Sequence, residues 1–288
     1  MAISQLNIED VEVKLTQEPR EIEAAQRLRY RVFYEEYKAQ PDEEMARERR
    51  DMDDFDSIAD HLIVIDNSID DPINRIVGTY RLLRNDVAKK HGRFYTSDEY
   101  DIGPLIKGGS NLLELGRSCV LAEYRTRPVM QLLWEGIVKY MLDNNLETMF
   151  GCASLHGTDI DEMSEQLAYM YHYHLAAENY RPIALPERYV DMNLHAKEDL
   201  EVRRIFKSLP PLIKGYLRVG CTIGDGAVID NQFDTTDVCI VLPMKELAPR
   251  YRNHYARKIS LKNKRVNVER GSEEEIETSG AALSGSTA

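Results

Sequence analysis

Between Asn111 and Met130 the chain reads NLLELGRSCVLAEYRTRPVM, an apolar strand pattern interrupted by Glu114, Gly116 and Arg117 and running straight into a helix. Isolated ionised groups are costly to bury, so Glu114 and Arg117 need partners: each other, water or a ligand. In a regular strand, residues three apart point to opposite faces. A bulge at Gly116 adds one residue and turns both side chains to one side. The pattern therefore predicts a bent strand that carries an acid and a base at a cleft. A satisfied internal ion pair is the plain alternative.

Other reactive types are less organised. Cys119, Cys152, Cys221 and Cys239 are widely spaced in apolar, strand-like contexts and read as small buried hydrophobes. None has the spacing of a zinc site, and no His pair has the H-E-x-x-H pattern, so no metal is expected. A nucleophilic Cys119 or Cys152 needs a neighbouring base or helix N-terminus to become thiolate. Asp51, Asp53, Asp54 and Asp56 crowd the end of a polar run, Gln40 to Asp56, that reads as a loop or solvent-facing helix. They can cap the next element, hold a cationic substrate or simply be solvated, the last being the common case for a charge run.

The elements that must position these groups follow from periodicity. VEVKLTQ alternates as a strand, and a helix follows from Pro19, with apolar residues Ala24, Leu28, Val32 and Phe33 at helical spacing. Arg29 and Arg31 on it are read as surface residues, although RYRVF sets a guanidinium beside an aromatic that must be buried. HLIVID and RIVGTYRLLR, joined by the turn formers of NSIDDPIN, make a hairpin. The segment NDVAKKHGRFYTSDEYDIGPLIKGGS reads as a helical turn and loop. After the central strand come a helix through Met141, with Pro128 in its first turn, and the continuous apolar strand ETMFGCASL. Strand, helix and buried strand in this order form a βαβ unit, so the two strands should be parallel. A helix over Asp159 to Glu178, another over Glu198 to Lys207, and late strands near Gly215 to Ile223 and Asp237 to Leu242 complete the pattern.

The 288 residues contain 43% apolar residues, normal for a globular core. One domain over residues 1–255 is expected, with a basic segment and a disordered acidic tail over 256–288. No apolar run reaches membrane-helix length and the N-terminus lacks a signal pattern, so the expected compartment is the cytoplasm. The net charge of −12 argues against binding nucleic acid, whose affinity comes from neutralised phosphates. The cations of Arg250 to Arg270 are clustered enough to meet an anionic bilayer, predicting peripheral association with the inner membrane.

The order of elements matches the GNAT acyltransferase superfamily, an α/β fold with a mixed central sheet, a bulged central strand and flanking helices. The residues resemble the ornithine-acyl-ACP N-acyltransferases, bacterial enzymes of ornithine lipid biosynthesis. The shared blocks are RVFYEE, VGTYRLLR, LELGRSCVLAEYR, LLWEGIVKY, GCASLHG, PPLIKGYLRVG and GDGAVIDNQFDTTDVCIVLP, spanning roughly Arg31 to Pro243. A more distant similarity is to the acyl-homoserine-lactone synthases.

The resemblance implies transfer of a 3-hydroxyacyl chain from acyl carrier protein to the α-amine of ornithine, giving lyso-ornithine lipid by direct aminolysis of the thioester. No cofactor is implied beyond the carrier's phosphopantetheine. Glutamine, glycine or lysine acceptors, a homoserine-lactone-type synthase, and a silent acyl-ACP or lipid-binding module are the competing readings. Glu114 and Arg117 are the candidate catalytic residues, Glu114 as the base, directly or through water, and Arg117, with Arg81, as a bidentate partner for the acceptor carboxylate, with backbone N–H groups around Gly116 as oxyanion donors. Leu115, Gly116, Ser118, Arg125, Cys152 and Ser154 are expected on the acyl donor. Arg31, Asp54, Asp56 and Arg81 are expected on the acceptor. Where acetyl-CoA enzymes carry a Gly-rich loop for the pyrophosphate, this chain has EYRTRPVM, which favours acyl-ACP over acyl-CoA. Arg125, Arg127, Arg203, Arg204 and Lys207 are candidates for docking the acidic carrier.

Overall fold

In the computed structural model, which describes residues 7–247, the apolar stretches pair into one large sheet. In chain order the elements begin with β1 (Val11–Thr16), α1 (Pro19–Tyr30), which continues into a π-helical turn over Arg31–Glu36, and α2 (Glu43–Glu48). Then come β2 (Asp60–Asp66), β3 (Ile76–Arg84), α3 (Asn85–His91), β4 (Tyr100–Asp101) and α4 (Gly103–Lys107). The central unit is β5 (Leu112–Val120), α5 (Arg127–Asp143) and β6 (Thr148–His156). The remainder is α6 (Ile160–His174), β7 (Ile183–Ala184), α7 (Val202–Ser208), α8 (Pro211–Val219), β8 (Thr222–Ile223), β9 (Val228–Asp230) and β10 (Thr235–Pro243). The basic stretch Arg250 to Arg270 and the acidic tail lie outside the described residues. No helix among the described residues is long and apolar enough to cross a membrane.

The main sheet runs β1-β2-β3-β5-β6-β10-β8, with β9 also on β10, while β4 and β7 pair separately. The expected hairpin is β2–β3 and the expected parallel pair is β5–β6. α1 packs on the sheet through Ala24, Ala25 and Leu28, all nearly inaccessible, because they recur on one helical face. α5 buries Val129, Leu133, Ile137 and Met141 in the same way.

Three expectations need correction. The bulge does not fall on Gly116, which pairs with Arg81; Thr79 pairs with Cys119, so Arg117 and Ser118 together face the single residue Tyr80. Arg117 takes the left-handed conformation at φ +47°, a strain of about 1–2 kcal/mol for a residue with a side chain. Second, of the strand expected near Gly215 to Ile223 only Thr222–Ile223 is extended, and residues 215–219 belong to the helix 211–219, since Pro211 suits a first turn and Ile213, Tyr216 and Leu217 share one buried face. Gly220 in the left-handed conformation ends it. Third, Arg29 is no surface residue but fully buried.

Parallel pairing of β5 with β6 covers only Leu112↔Thr148, Leu113↔Met149 and Glu114↔Phe150. Both strands continue, β5 held by β3 and β6 by β10, so beyond this point they part into a fork. Gly151 sits at its apex, where an added Cβ would lie 2.2 Å from the Leu115 carbonyl oxygen. Gly151→Ala is therefore expected to destabilise the protein by about 1–3 kcal/mol, the usual cost of overpacking. A thermal melt within 1 °C of wild type would contradict this close approach.

Candidate active site

The fork collects five of the six residues expected on the acyl donor. Leu115, Gly116 and Ser118 lie on the diverging half of β5, and Cys152 and Ser154 on that of β6. The facing edges carry backbone N–H and C=O groups beyond the last ladder pair, Glu114↔Phe150. Arg125 is not at the fork edge in free form. It donates to both carboxylate oxygens of Glu36, at 2.5 and 2.7 Å, and to the Val120 carbonyl, and stacks on Tyr37.

Glu114 and Arg117 do not pair with each other. Glu114 is 3% exposed and its two oxygens accept the backbone N–H groups of Tyr95 and Thr96 at 3.0 and 2.6 Å. Burial raises its pKa, and those hydrogen bonds oppose the shift. Its clearest work is to hold the turn Tyr95–Asp98 against the fork. Arg117 instead reaches Asp51 and Asp53, at 3.3 and 3.2 Å, and donates to the Tyr95 hydroxyl at 3.3 Å. Its guanidinium lies 4.8 Å from the Tyr95 ring centroid and 5.1 Å from that of Phe233.

These contacts belong to a buried network of three arginines and three aspartates. Arg29 donates to Asp51 at 2.6 Å and to both oxygens of Asp56 at 2.9 and 2.7 Å. Arg81 pairs with Asp53 and Asp56, and Tyr34 donates to Asp51. Asp53 caps the turn Asp54–Ser57. Burial alone would raise the pKa of Asp51 and Asp56, but the guanidiniums of Arg117 and Arg29 hold Asp51 low, and Arg29 with Arg81 holds Asp56 low. The acid-rich run is thus only partly solvated: Asp51 and Asp56 are core residues, buried because each meets cations.

Of the expected acceptor residues, Asp56 and Arg81 are engaged in this network. Asp54 is exposed beside His91 and Arg93. Arg31 is exposed, reaches Asn74, and lines a separate groove of about 240 Å³ with Ile73 and Arg49.

A group absent from the sequence reading stands beside Cys152. Its thiol donates to Glu99 Oε2 at 3.2 Å. The ligand oxygens of Glu99, Asp230 and Asp237 lie within 4.8 Å of one another, a donor set suited to a hard cation or an ammonium. Burial foremost, then the neighbouring Asp237 charge, pushes Glu99 well above the ordinary carboxylate range, and burial raises Asp237 as well. Arg188 lies 3.6 Å from Glu99. Only the acid-rich string SDEYD hinted at this site, since Glu99, Asp230 and Asp237 come from a turn and two late strands.

The thiols are poor nucleophiles. Burial pushes Cys119 up to about 12, and burial with the Glu99 charge raises Cys152 further from ionisation. Cys119→Ser and Cys152→Ala are each expected to retain turnover within about tenfold of wild type. An acyl group trapped on either sulfur, seen by intact-protein mass spectrometry, would contradict this.

A model described as "Acetyltransferase (GNAT) domain" matches residues 28–135, which include the network, the fork strand β5 and the start of α5. A Rhizobium meliloti protein named L-ornithine N(alpha)-acyltransferase is 46% identical over 251 residues, 86% of this chain and 85% of that protein. Proteins of the same name from Brucella abortus and Rhodobacter capsulatus are 46% and 41% identical, covering 86% of this chain and 89% and 95% of their own lengths. Among solved structures, FeeM, an N-acyl amino acid synthase from uncultured soil microbes, aligns over 82% of this chain and 91% of its own, with a TM-score of 0.45 at 12% identity.

Proposed function

The chain belongs to the L-ornithine N(alpha)-acyltransferase family and is an acyltransferase; from that premise we propose that it moves a 3-hydroxyacyl chain from acyl carrier protein to the α-amine of L-ornithine, forming lyso-ornithine lipid. The observation that supports this most is the parting of β5 from β6 after Glu114, which leaves a slot with unpaired backbone edges for an extended pantetheine arm. The connection into α5 supports a carrier-bound donor. Residues 121–126 contain no glycine, and Pro128 removes one N–H from the first turn, so few amides remain to cradle a diphosphate.

In the proposed reaction the neutral amine attacks the thioester carbonyl, a C–N bond forms, and the oxyanion collapses with loss of the thiolate. Backbone N–H groups along the free edge of β5 beside the Arg117–Ser118 bulge receive the oxyanion. Glu99 takes the amine proton in place of Glu114, because both Glu114 oxygens already accept amides. The proton then neutralises the departing thiolate. Asp230 and Asp237 add negative potential that attracts a cationic diamino acid. Arg117, 13% exposed against 0% for Arg29 and 4% for Arg81, is the guanidinium of the network best placed to meet the acceptor carboxylate.

The test is incubation of the purified protein with 3-hydroxyacyl-carrier protein or the matching acyl-CoA, and a panel of amino acids, with products read by mass spectrometry. N-acylornithine from the carrier-bound donor is the expected product. Preference for another amino acid, or for the CoA ester, would overturn the corresponding half of the reading.

A further inference from the structure

Although the chain is strongly acidic, residues 202–224 contain Arg203, Arg204, Lys207, Lys214 and Arg218 and no acidic residue. All five lie on α7 and α8. Arg204 is committed to Glu165 and Glu201, at 2.6 and 3.3 Å. The other four have no carboxylate partner among the described residues, and Arg203, Lys207 and Arg218 are exposed. They form one surface: Lys214 Nζ donates to the Lys207 carbonyl at 3.0 Å, and the Arg218 guanidinium lies 5.3 Å from the centroid of the Phe206 ring.

The opposite side of α8 is anchored near the fork. The Tyr216 hydroxyl is 3.0 Å from that of Tyr80, the residue facing the Arg117–Ser118 bulge, and the Tyr216 ring packs edge-on to Trp134 of α5. The cations thus cover the outside of a helix pair, each helix about 10 Å across, whose inside touches Tyr80 on β3, the residue facing the bulge of β5.

We propose that the α7–α8 face is the docking surface for an acidic carrier protein, which from there threads its thioester arm into the fork. This rests on the carrier-protein reading of the donor. Complementary charge at such a face acts chiefly on the encounter rate and weakens with salt. A protein partner fits better than a bilayer. None of the large apolar side chains exposed among the described residues lies on α7 or α8, so the face offers charge without groups to insert.

The test is the charge-reversed variant R203E/K207E/R218E, assayed with acyl-carrier protein and with the corresponding acyl-pantetheine. KM for the carrier-bound donor is expected to rise roughly tenfold or more, with its salt dependence flattened. Turnover of acyl-pantetheine is expected to stay at the wild-type level, which also reports an intact fold. An unchanged KM for the carrier-bound donor, with wild type using that donor, would overturn the docking surface and leave the donor reading standing. Wild type that ignores acyl-carrier protein but uses acyl-CoA would overturn both. A variant that loses co-sedimentation with anionic phosphatidylglycerol vesicles, yet keeps its carrier KM, would reassign the face to membrane.

Discussion

Glu99→Gln is expected to lower kcat/KM about 10²–10⁴-fold, the usual contribution of a positioned general base, while leaving the melting temperature close to wild type. The substitution keeps the shape of the side chain and an oxygen for the Cys152 thiol, and removes the capacity to take a proton together with the charge that faces Arg188. Because burial and the Asp237 charge both raise the pKa of Glu99, Asp237→Asn should lower it. The base form would then persist to lower pH, so the acidic limb of the kcat/KM profile should move downward in that variant. Glu114→Gln provides the contrast. It weakens acceptance from the Tyr95 and Thr96 amides, so its loss of activity should come with a loss of stability. If Glu114→Gln abolished turnover at wild-type stability while Glu99→Gln remained active, the proton would belong to Glu114 after all.

Arg29→Met should destabilise the fold by about 3–5 kcal/mol at pH 7, the typical cost of removing one partner from a buried ion pair. Arg29 makes four hydrogen bonds to the carboxylates of Asp51 and Asp56 and to the Asp51 carbonyl. Its loss leaves two buried carboxylates with only Arg117, Arg81 and neutral donors. The pH dependence has a defined sign. In wild type both aspartates are depressed below their unfolded values, so their stabilisation is present above the unfolded carboxylate pKa and lost as pH falls through the folded one. In the variant both pKa values rise, so its deficit against wild type should shrink between pH 7 and pH 4. Urea unfolding at the two pH values reads this directly, and a difference at pH 7 under about 1 kcal/mol would show that the network contributes little. Since Asp51 also positions Arg117, turnover should fall as well.

Much of the scaffold is legible in the sequence. Two apolar strand patterns joined by turn formers marked the β2–β3 hairpin, and an apolar strand on either side of a 3.6-periodic helix marked β5–α5–β6 and its parallel pairing. A charged pair in an apolar strand singled out β5, whose bulge does fall beside that pair, and the shared blocks identified the family. Residues 215–219 are helical although a short apolar run with a glycine fits strand and helix alike, and the buried face of α8 decides between them only through Tyr80 and Trp134.

The partners of the charged groups are a different matter. A run such as DMDDFD has the same local pattern whether it faces water or meets arginines from elsewhere, and Asp51 is buried because Arg29 and Arg117 converge on it. Glu114 and Arg117, three residues apart, found separate partners because the bulge fell on Arg117 and the Tyr95–Asp98 turn offered two amides. Glu99 and Asp237 are far apart in sequence, and neither looks unusual there. Local periodicity reports which face a residue occupies. Which distant charge waits on that face, and therefore which carboxylate has its pKa raised and which lowered, is settled only when the strands and turns close around it.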